Sequence, residues 1–481
     1  MIPDAAAAAA SDAALELDQT VVAGGYCIGC GVCAAGPEAP FAIGFDEHGR
    51  LQATLSRAGA AEPSERSLLE ICPFADAGAH EDEIGLARFG AQPGIRRDPH
   101  AGYLLRAYVG HASEGGLREV GGSGGMGTWI LGELLRRDVV DAVLHVKPAG
   151  DDALFAFAVS RTPEQVAAGA KSRYYPVEMS AALAELRARP GRYAVVGVPC
   201  FIKALRRLAL QDELVAERLT VTVGLFCGHL KSTAFADHIA WDYGIEPGGL
   251  RSIDFREKLP GRPANRYGVR LQGAGGVEAA GPMSDVFGYR WSYGFFKYRA
   301  CDFCDDVVAE TADISIGDAW LPGHLEDSRG TNVVVVRDQR LLALVEAGIE
   351  DGRLALRPLA DDQVLASQRS GFRHRREGLA HRLAAADAAG VWRPRKRVAA
   401  ASDGLRAADR DVFDARSELA ALSHVAFRDA VAAGSPTRFR AQMTPLMARH
   451  DAAVRARRPA WRRALGRVRR IVRHGVRAAR R

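Results

Sequence analysis

Cys27-Ile28-Gly29-Cys30-Gly31-Val32-Cys33 places three thiols within seven residues, and a fourth follows at Cys72-Pro73. Thiols at such intervals bend one short stretch of chain around a common centre, so this region is organised by what it ligates and not by an apolar core. Three cysteines at successive intervals of three, completed by a later Cys-Pro, match the ligand spacing of a bacterial-type four-iron cluster. Zinc is the alternative, because tetrahedral thiolate sets suit it as well. Zinc sites usually join two separated Cys-x-x-Cys hairpins, whereas here one segment wraps three corners, which favours a 4Fe-4S cluster and electron transfer.

Eight cysteines in 481 residues are twice the four that one cubane needs. The N-terminus is alanine-rich but carries Asp4, Asp12, Glu16 and Asp18 without a basic start, so a secretory leader and a disulfide framework are not expected. No run reaches 18 apolar residues, so a spanning helix is not expected either, and the location reads as cytoplasmic. The net charge of +6 hides an asymmetry: residues 452–481 hold 12 arginines and no acid, leaving 52 basic against 58 acidic residues elsewhere.

The chain divides by texture. Residues 1–20 read as a disordered leader with little to bury, and 21–100 as a ferredoxin-like 4Fe-4S module with an extended pair at Phe41-Ala42-Ile43 and Leu51-Gln52-Ala53. Residues 101–375 alternate apolar runs (Ala142 to Val146, Tyr193 to Val198, Leu219 to Phe226) with helical patterns (Thr128 to Arg137, Val177 to Arg187, Phe201 to Leu210, Ser232 to Tyr243). That alternation predicts an α/β layer with a mainly parallel core, in a chain that is α+β overall. Residues 376–450 read as a helical extension packed on the core or on another subunit, and 451–481 as a basic amphipathic tail.

Two strands end in cysteine, at Cys200 and Cys227, where α/β sheets gather their ligands. With Cys301 and Cys304 they make a second set of four, against the readings that the single cysteines are buried small hydrophobes or that Cys301-x-x-Cys304 is a redox dithiol. The loop Gly121-Gly122-Ser123-Gly124-Gly125-Met126-Gly127 leads into a helix. It does not directly follow a strand, and no acid ends the next one, which disfavours a dinucleotide fingerprint of the NAD type. Bare amides at a helix start still suit an anionic phosphate, such as a flavin pyrophosphate. Lys171-Ser172-Arg173-Tyr174 could hold phosphate and ring parts of a cofactor or stand as a solvated basic turn.

The segments Cys27 to Cys33, Ser123 to Thr128, Gly197-Val198-Pro199-Cys200, and Arg299 to Cys304 with Ala312 to Asp318 together resemble the coenzyme F-420 hydrogenase/dehydrogenase beta-subunit family, over roughly Val21 to Arg373. The resemblance implies an iron-sulfur flavoprotein with one or two 4Fe-4S clusters. It places FAD near Ser123, Gly124, Gly125, Thr128, Lys171, Ser172, Arg173 and Tyr174, with Asn332 in a further flavin-side loop. It assigns Cys200, Cys227, Cys301 and Cys304 to a flavin-proximal cluster, and Cys27, Cys30, Cys33 and Cys72 to the other.

The expected function is an oxidoreductase passing electrons between a reduced carrier, coenzyme F-420 or ferredoxin, and an acceptor through two 4Fe-4S clusters and FAD. The rival is a non-catalytic electron-transfer or assembly subunit that docks through its cluster module. His229 is a candidate proton donor, with a packed or cluster-adjacent histidine the favoured reading, so no catalytic residue is assigned. In the tail, Trp461, Leu465, Val468, Ile471, Val472 and Val476 share a helical stripe among arginines, a pattern suited to an anionic membrane surface or an acidic partner. A solvated basic terminus is the plain alternative. Nucleic acid ranks last, because no stacking platform accompanies the arginines.

Overall fold

The computed structural model describes residues 12–36, 39–56, 67–150 and 153–457. Residues 1–11 of the expected leader and 458–481 of the basic tail lie outside the described residues.

In chain order the strands are β1 Phe41–Phe45, β2 Leu51–Leu55, β3 Arg96–Asp98, β4 Gly102–Leu104, β5 Arg106–Ala112, β6 Ala142–Pro148, β7 Phe155–Ser160, β8 Tyr193–Gly197 and β9 Leu219–Leu225. They continue as β10 Leu250–Glu257, β11 Gly268–Gly273, β12 Glu278–Pro282, β13 Ile314–Asp318, β14 Asn332–Val336 and β15 Leu354–Pro358. Eight of them form the main sheet, in the order β15-β5-β14-β13-β9-β8-β6-β7. The run β13-β9-β8-β6 is parallel, which is the expected parallel core. Both margins are antiparallel, through β14, β5 and β15 on one side and β7 on the other. Val333 to Val336 show why a strand forms here: consecutive β-branched residues, all buried, suit a sheet covered on both faces.

Helices Met126–Arg136 and Gln339–Glu350 cover one face, where Trp129, Ile130 and Leu134 meet Val143, Val221, Ile314 and Val334. Helices Ser180–Ala188 and Pro199–Ala209 cover the other, and the cysteine-rich N-terminal segment shares their core through Tyr26, Ile28, Val32 and Ile71. The expected extended pair is the antiparallel hairpin β1-β2.

The leader departs from expectation. Asp12 to Val22 is helical, ending in a π-turn at Asp18–Val22, because Ala14, Leu17 and Val21 are buried in that same core. Scattered acids concealed a sparse apolar stripe. The extension folds into helices Glu377–Ala388, Ala407–Ala432 and Pro436–Ala456, as its periodicity suggested. The last two pack on the chain's own three-stranded sheet, where Phe427, Phe439 and Met443 join Phe255, Val269, Phe295 and Phe296.

Candidate functional site

A cavity of about 330 Å³ opens beyond the carboxyl ends of β6, β8, β9 and β13. That is where a parallel sheet leaves a crevice. Ser123, Gly125, Thr128, Lys171, Ser172, Arg173, Tyr174 and Asn332 all line it. Gly124 stands just behind: a Cβ there would lie 2.6 Å from Asn332 Oδ1 and 3.0 Å from the Gly110 carbonyl, so only glycine lets the loop approach β14. Gly125 adopts φ +81° and presents the helix start directly to the cavity.

Asn332, besides lining the cavity, anchors the loop. Its Oδ1 accepts from Met126 N at 3.2 Å and its Nδ2 donates to the Gly317 carbonyl at 3.1 Å, so the amide ties the glycine loop to the sheet. Lys258, unread in the sequence, braces the loop from beneath by donating to the carbonyls of Ser123, at 2.9 Å, and Arg118. Burial pushes its ammonium down to about 8.

The 171–174 turn is not a solvated one. Lys171 pairs with Asp254 at 2.8 Å, and Arg173 lies 4.8 Å over Phe155 with its Nε buried and without a hydrogen-bond partner. Tyr174 stacks edge-on against Phe255 at 5.5 Å and meets Trp291 at 5.0 Å. Arg256, held by Asp318 at 2.7 Å, completes the wall. His145 also faces the cavity. It contacts Ser160 Oγ at 2.9 Å, and burial pushes its imidazole down to about 4.

Cys227 lines the same cavity, as do Gly228, His229, Leu230 and Lys231. His229 stacks on Trp291 at 4.4 Å, and Arg416 reaches its Nδ1 at 3.3 Å. Burial holds this histidine well below its ordinary range, so it is a neutral, packed ring.

The cysteines fall into two groups whose thiols sense one another electrostatically. Cys27, Cys30, Cys33 and Cys72 form the outer group. Cys200, Cys227, Cys301 and Cys304 form the inner group. Burial, with added repulsion from neighbouring thiols, pushes Cys27 up to about 11 and Cys227 to about 12.

Backbone amides point at several sulfurs. Gly29 N and Ala53 N lie 3.4 Å from Cys27 Sγ, and Leu230 N lies 3.2 Å from Cys301 Sγ. Cys200 sits in the first turn of Pro199–Ala209, where the helix dipole favours thiolate. The groups also meet, since Cys200 senses Cys30. Among the described residues no trio of His, Cys, Asp or Glu is gathered as ligands of a single metal ion. A cubane is a box of iron and sulfide whose four thiolates stand on separate corners, and the amide-directed, mutually repelling sulfurs fit that donor set.

Two family models match the chain, both describing the beta subunit of coenzyme F420 hydrogenase/dehydrogenase: its N-terminal part over residues 107–184, and its C-terminal part over residues 191–362. The chain belongs to the coenzyme F420 hydrogenase/dehydrogenase beta-subunit family. The matched spans hold the glycine loop, the basic turn and the inner cysteines of this beta-subunit family member. They exclude Cys27, Cys30, Cys33 and Cys72, and everything after residue 362, so they are narrower than the stretch over which the sequence motifs suggested kinship. Among solved structures, it is similar to a chain of the F420-reducing [NiFe] hydrogenase complex from Methanosarcina barkeri, studied by xenon derivatization. That match has 18% identity and a TM-score of 0.45, covering 58% of this chain and 92% of that one. No curated protein matches. No described helix is long and apolar enough to cross a membrane.

Proposed function

We propose that this family member is an iron-sulfur flavoprotein oxidoreductase, carrying electrons between a reduced carrier, coenzyme F420 or ferredoxin, and an acceptor. The observation that carries the reading is that Cys227 and the glycine loop line one cavity. A redox-ligand cysteine and an anion-cradling helix start therefore open onto the same space.

In this reading the outer cysteines, in a ferredoxin-like segment, and the inner cysteines each hold a 4Fe-4S cluster, and FAD occupies the cavity. When bound, the clusters supply one-electron carriage and the flavin pairs electrons. The chain's residues do the rest. Gly125, Gly127 and Thr128 offer the start of the Met126–Arg136 helix to a pyrophosphate, and Ser123 and Ser172 border it. Arg173 adds positive charge beside the Lys171–Asp254 pair, while Tyr174, Trp291 and Phe157 give apolar walls that exclude water from ring parts. Cys30 of the outer group lies within electrostatic range of Cys200, and Cys227 brings the inner group to the cavity wall.

Anaerobic purification followed by iron, acid-labile sulfide, zinc and flavin analysis tests the reading. About eight irons, the content of two cubanes, and one flavin per chain are expected. Zinc without flavin refutes it, and clusters without flavin turn the protein into an electron-transfer or assembly subunit.

A further inference from the structure

Three arginines beyond the family-matched spans, Arg375 just before the helical extension and Arg382 and Arg416 within it, are buried on the side of the inner cysteines. Arg375 donates to the Cys227 carbonyl at 2.7 Å and faces the thiols of Cys304, Cys227 and Cys301. Arg416 donates to the Ser292 carbonyl at 3.0 Å and senses Cys301. Arg382 donates to the Asp302 carbonyl at 2.8 Å. Lys297, paired with Asp302, and Lys231, bonded to the Phe295 carbonyl, complete the group. All five side chains are buried.

Negative charge facing them is scarce. Among the described residues Asp302 is the buried carboxylate in contact, and Asp414 reaches Arg382 from a half-exposed position. Burial and the neighbouring cations push the Lys231 ammonium well below its ordinary value, so keeping this group charged calls for another anion, and four thiolates around a cluster are one.

The outer group is differently furnished. Two cations face Cys72 there, Arg207, which donates to the carbonyls of Cys72, Ala75, Gly78 and Ala79, and Lys203, which is paired with Glu81 at 3.1 Å, while Glu178 places an acid near Cys30.

We propose that Arg375, Arg416, Arg382, Lys297 and Lys231 form a cation shell that sets the reduction potential of the inner cysteine site above that of the outer one. This rests on the reading of both cysteine groups as cluster sites. Reduction adds negative charge to a thiolate-ligated cluster, and fixed cations in a low-dielectric surround stabilise it; net charge and hydrogen bonds to sulfur are the established controls on such potentials. Electrons then run from the outer group to the inner one and on to the cavity. The extension is thereby part of the redox site.

The test is a potentiometric titration followed by electron paramagnetic resonance, with iron per chain measured in parallel, on the anaerobic wild type and on Arg375→Gln, Arg375→Lys and Arg416→Gln. The inner signal is identified by its loss in Cys301→Ser. Arg375→Gln and Arg416→Gln should retain iron and shift electron sharing away from the inner centre at least tenfold, a fall of about 59 mV for one electron. Arg375→Lys should stay near wild type, and the outer signal should not move. If Arg375→Gln sheds iron, Arg416→Gln, which bonds no cysteine, carries the measurement. An unmoved inner potential, or a wild-type inner potential below the outer one, overturns the inference. Iron content unchanged in Cys301→Ser overturns the cluster reading instead.

Discussion

Replacing Arg397 by methionine should cost about 3 kcal/mol of folding stability. Arg397 sits on a strap between the helices Glu377–Ala388 and Ala407–Ala432, and its guanidinium is a buried junction. It binds Glu310 in bidentate fashion at 2.8 and 2.9 Å, Asp82 at 3.0 Å, Asp305 at 3.3 Å and Glu81 at 3.6 Å. Removing one partner of a buried ion pair typically costs about 3–5 kcal/mol, because the remaining charge is stranded. Four cations stay behind: Arg97 at 2.9 Å from Asp82, Lys203 at 3.1 Å from Glu81, Arg376 at 3.7 Å from Glu310 and Lys396 at 3.8 Å from Asp305. They place the loss at the lower end of that range. Arg397→Lys keeps the charge but not the fork, and should lose about 1.5 kcal/mol. Denaturant unfolding followed by circular dichroism reads both. Arg397 and its neighbours hold Asp305, Asp82 and Glu81 below the ordinary carboxylate range. Their contribution is therefore fully present above about pH 4 and lost as pH falls through their lower folded values. The gap between wild type and Arg397→Met should be widest at neutral pH and narrow on acidification. A loss below about 1 kcal/mol, the worth of a surface ion pair, or a gap independent of pH, refutes the reasoning.

Three further outcomes are expected. Cys72→Ser should lose about half of the bound iron if Cys72 anchors one of two cubanes; unchanged iron removes that assignment. His145 titrates in the fold near 4 against an ordinary value of about 6.5, so its contribution is full above 6.5 and lost as pH falls toward 4, about 3 kcal/mol in all; His145→Gln should flatten the pH dependence of unfolding in that window. Deleting residues 458–481 should weaken binding to anionic liposomes without bleaching the chromophores, and unchanged binding would dismiss the membrane role of the tail.

The parts of this molecule legible in the sequence are those with local causes. Apolar runs gave β6, β8 and β9 nearly to the residue, and the glycine loop and 171–174 turn, read separately, meet on one cavity wall. What was hidden depends on distant partners. The antiparallel margin on the β15 side follows from β5 pairing with strands more than two hundred residues away. Lys171 is neutralised by Asp254, and Asn332 is consumed by Met126 and Gly317; neither partner is a neighbour in sequence. His145 and Arg256 sit in ordinary strand contexts and show their role only once the cavity closes around them. The arginines at 375, 382 and 416 were lost in a composition rich in arginine, where nothing local separates a buried cation from a solvated one.

The inner cysteines are drawn from positions 200, 227, 301 and 304, and their cationic surround reaches position 416. During synthesis the chain must therefore emerge from the ribosome past position 416 before that pocket can close. The outer cysteines are complete by residue 72, yet the strap that braces their segment carries Arg397. On the proposed reading, metal is delivered to the inner site only after position 416 has been made, and a shorter product would leave the inner thiols without their full cationic surround.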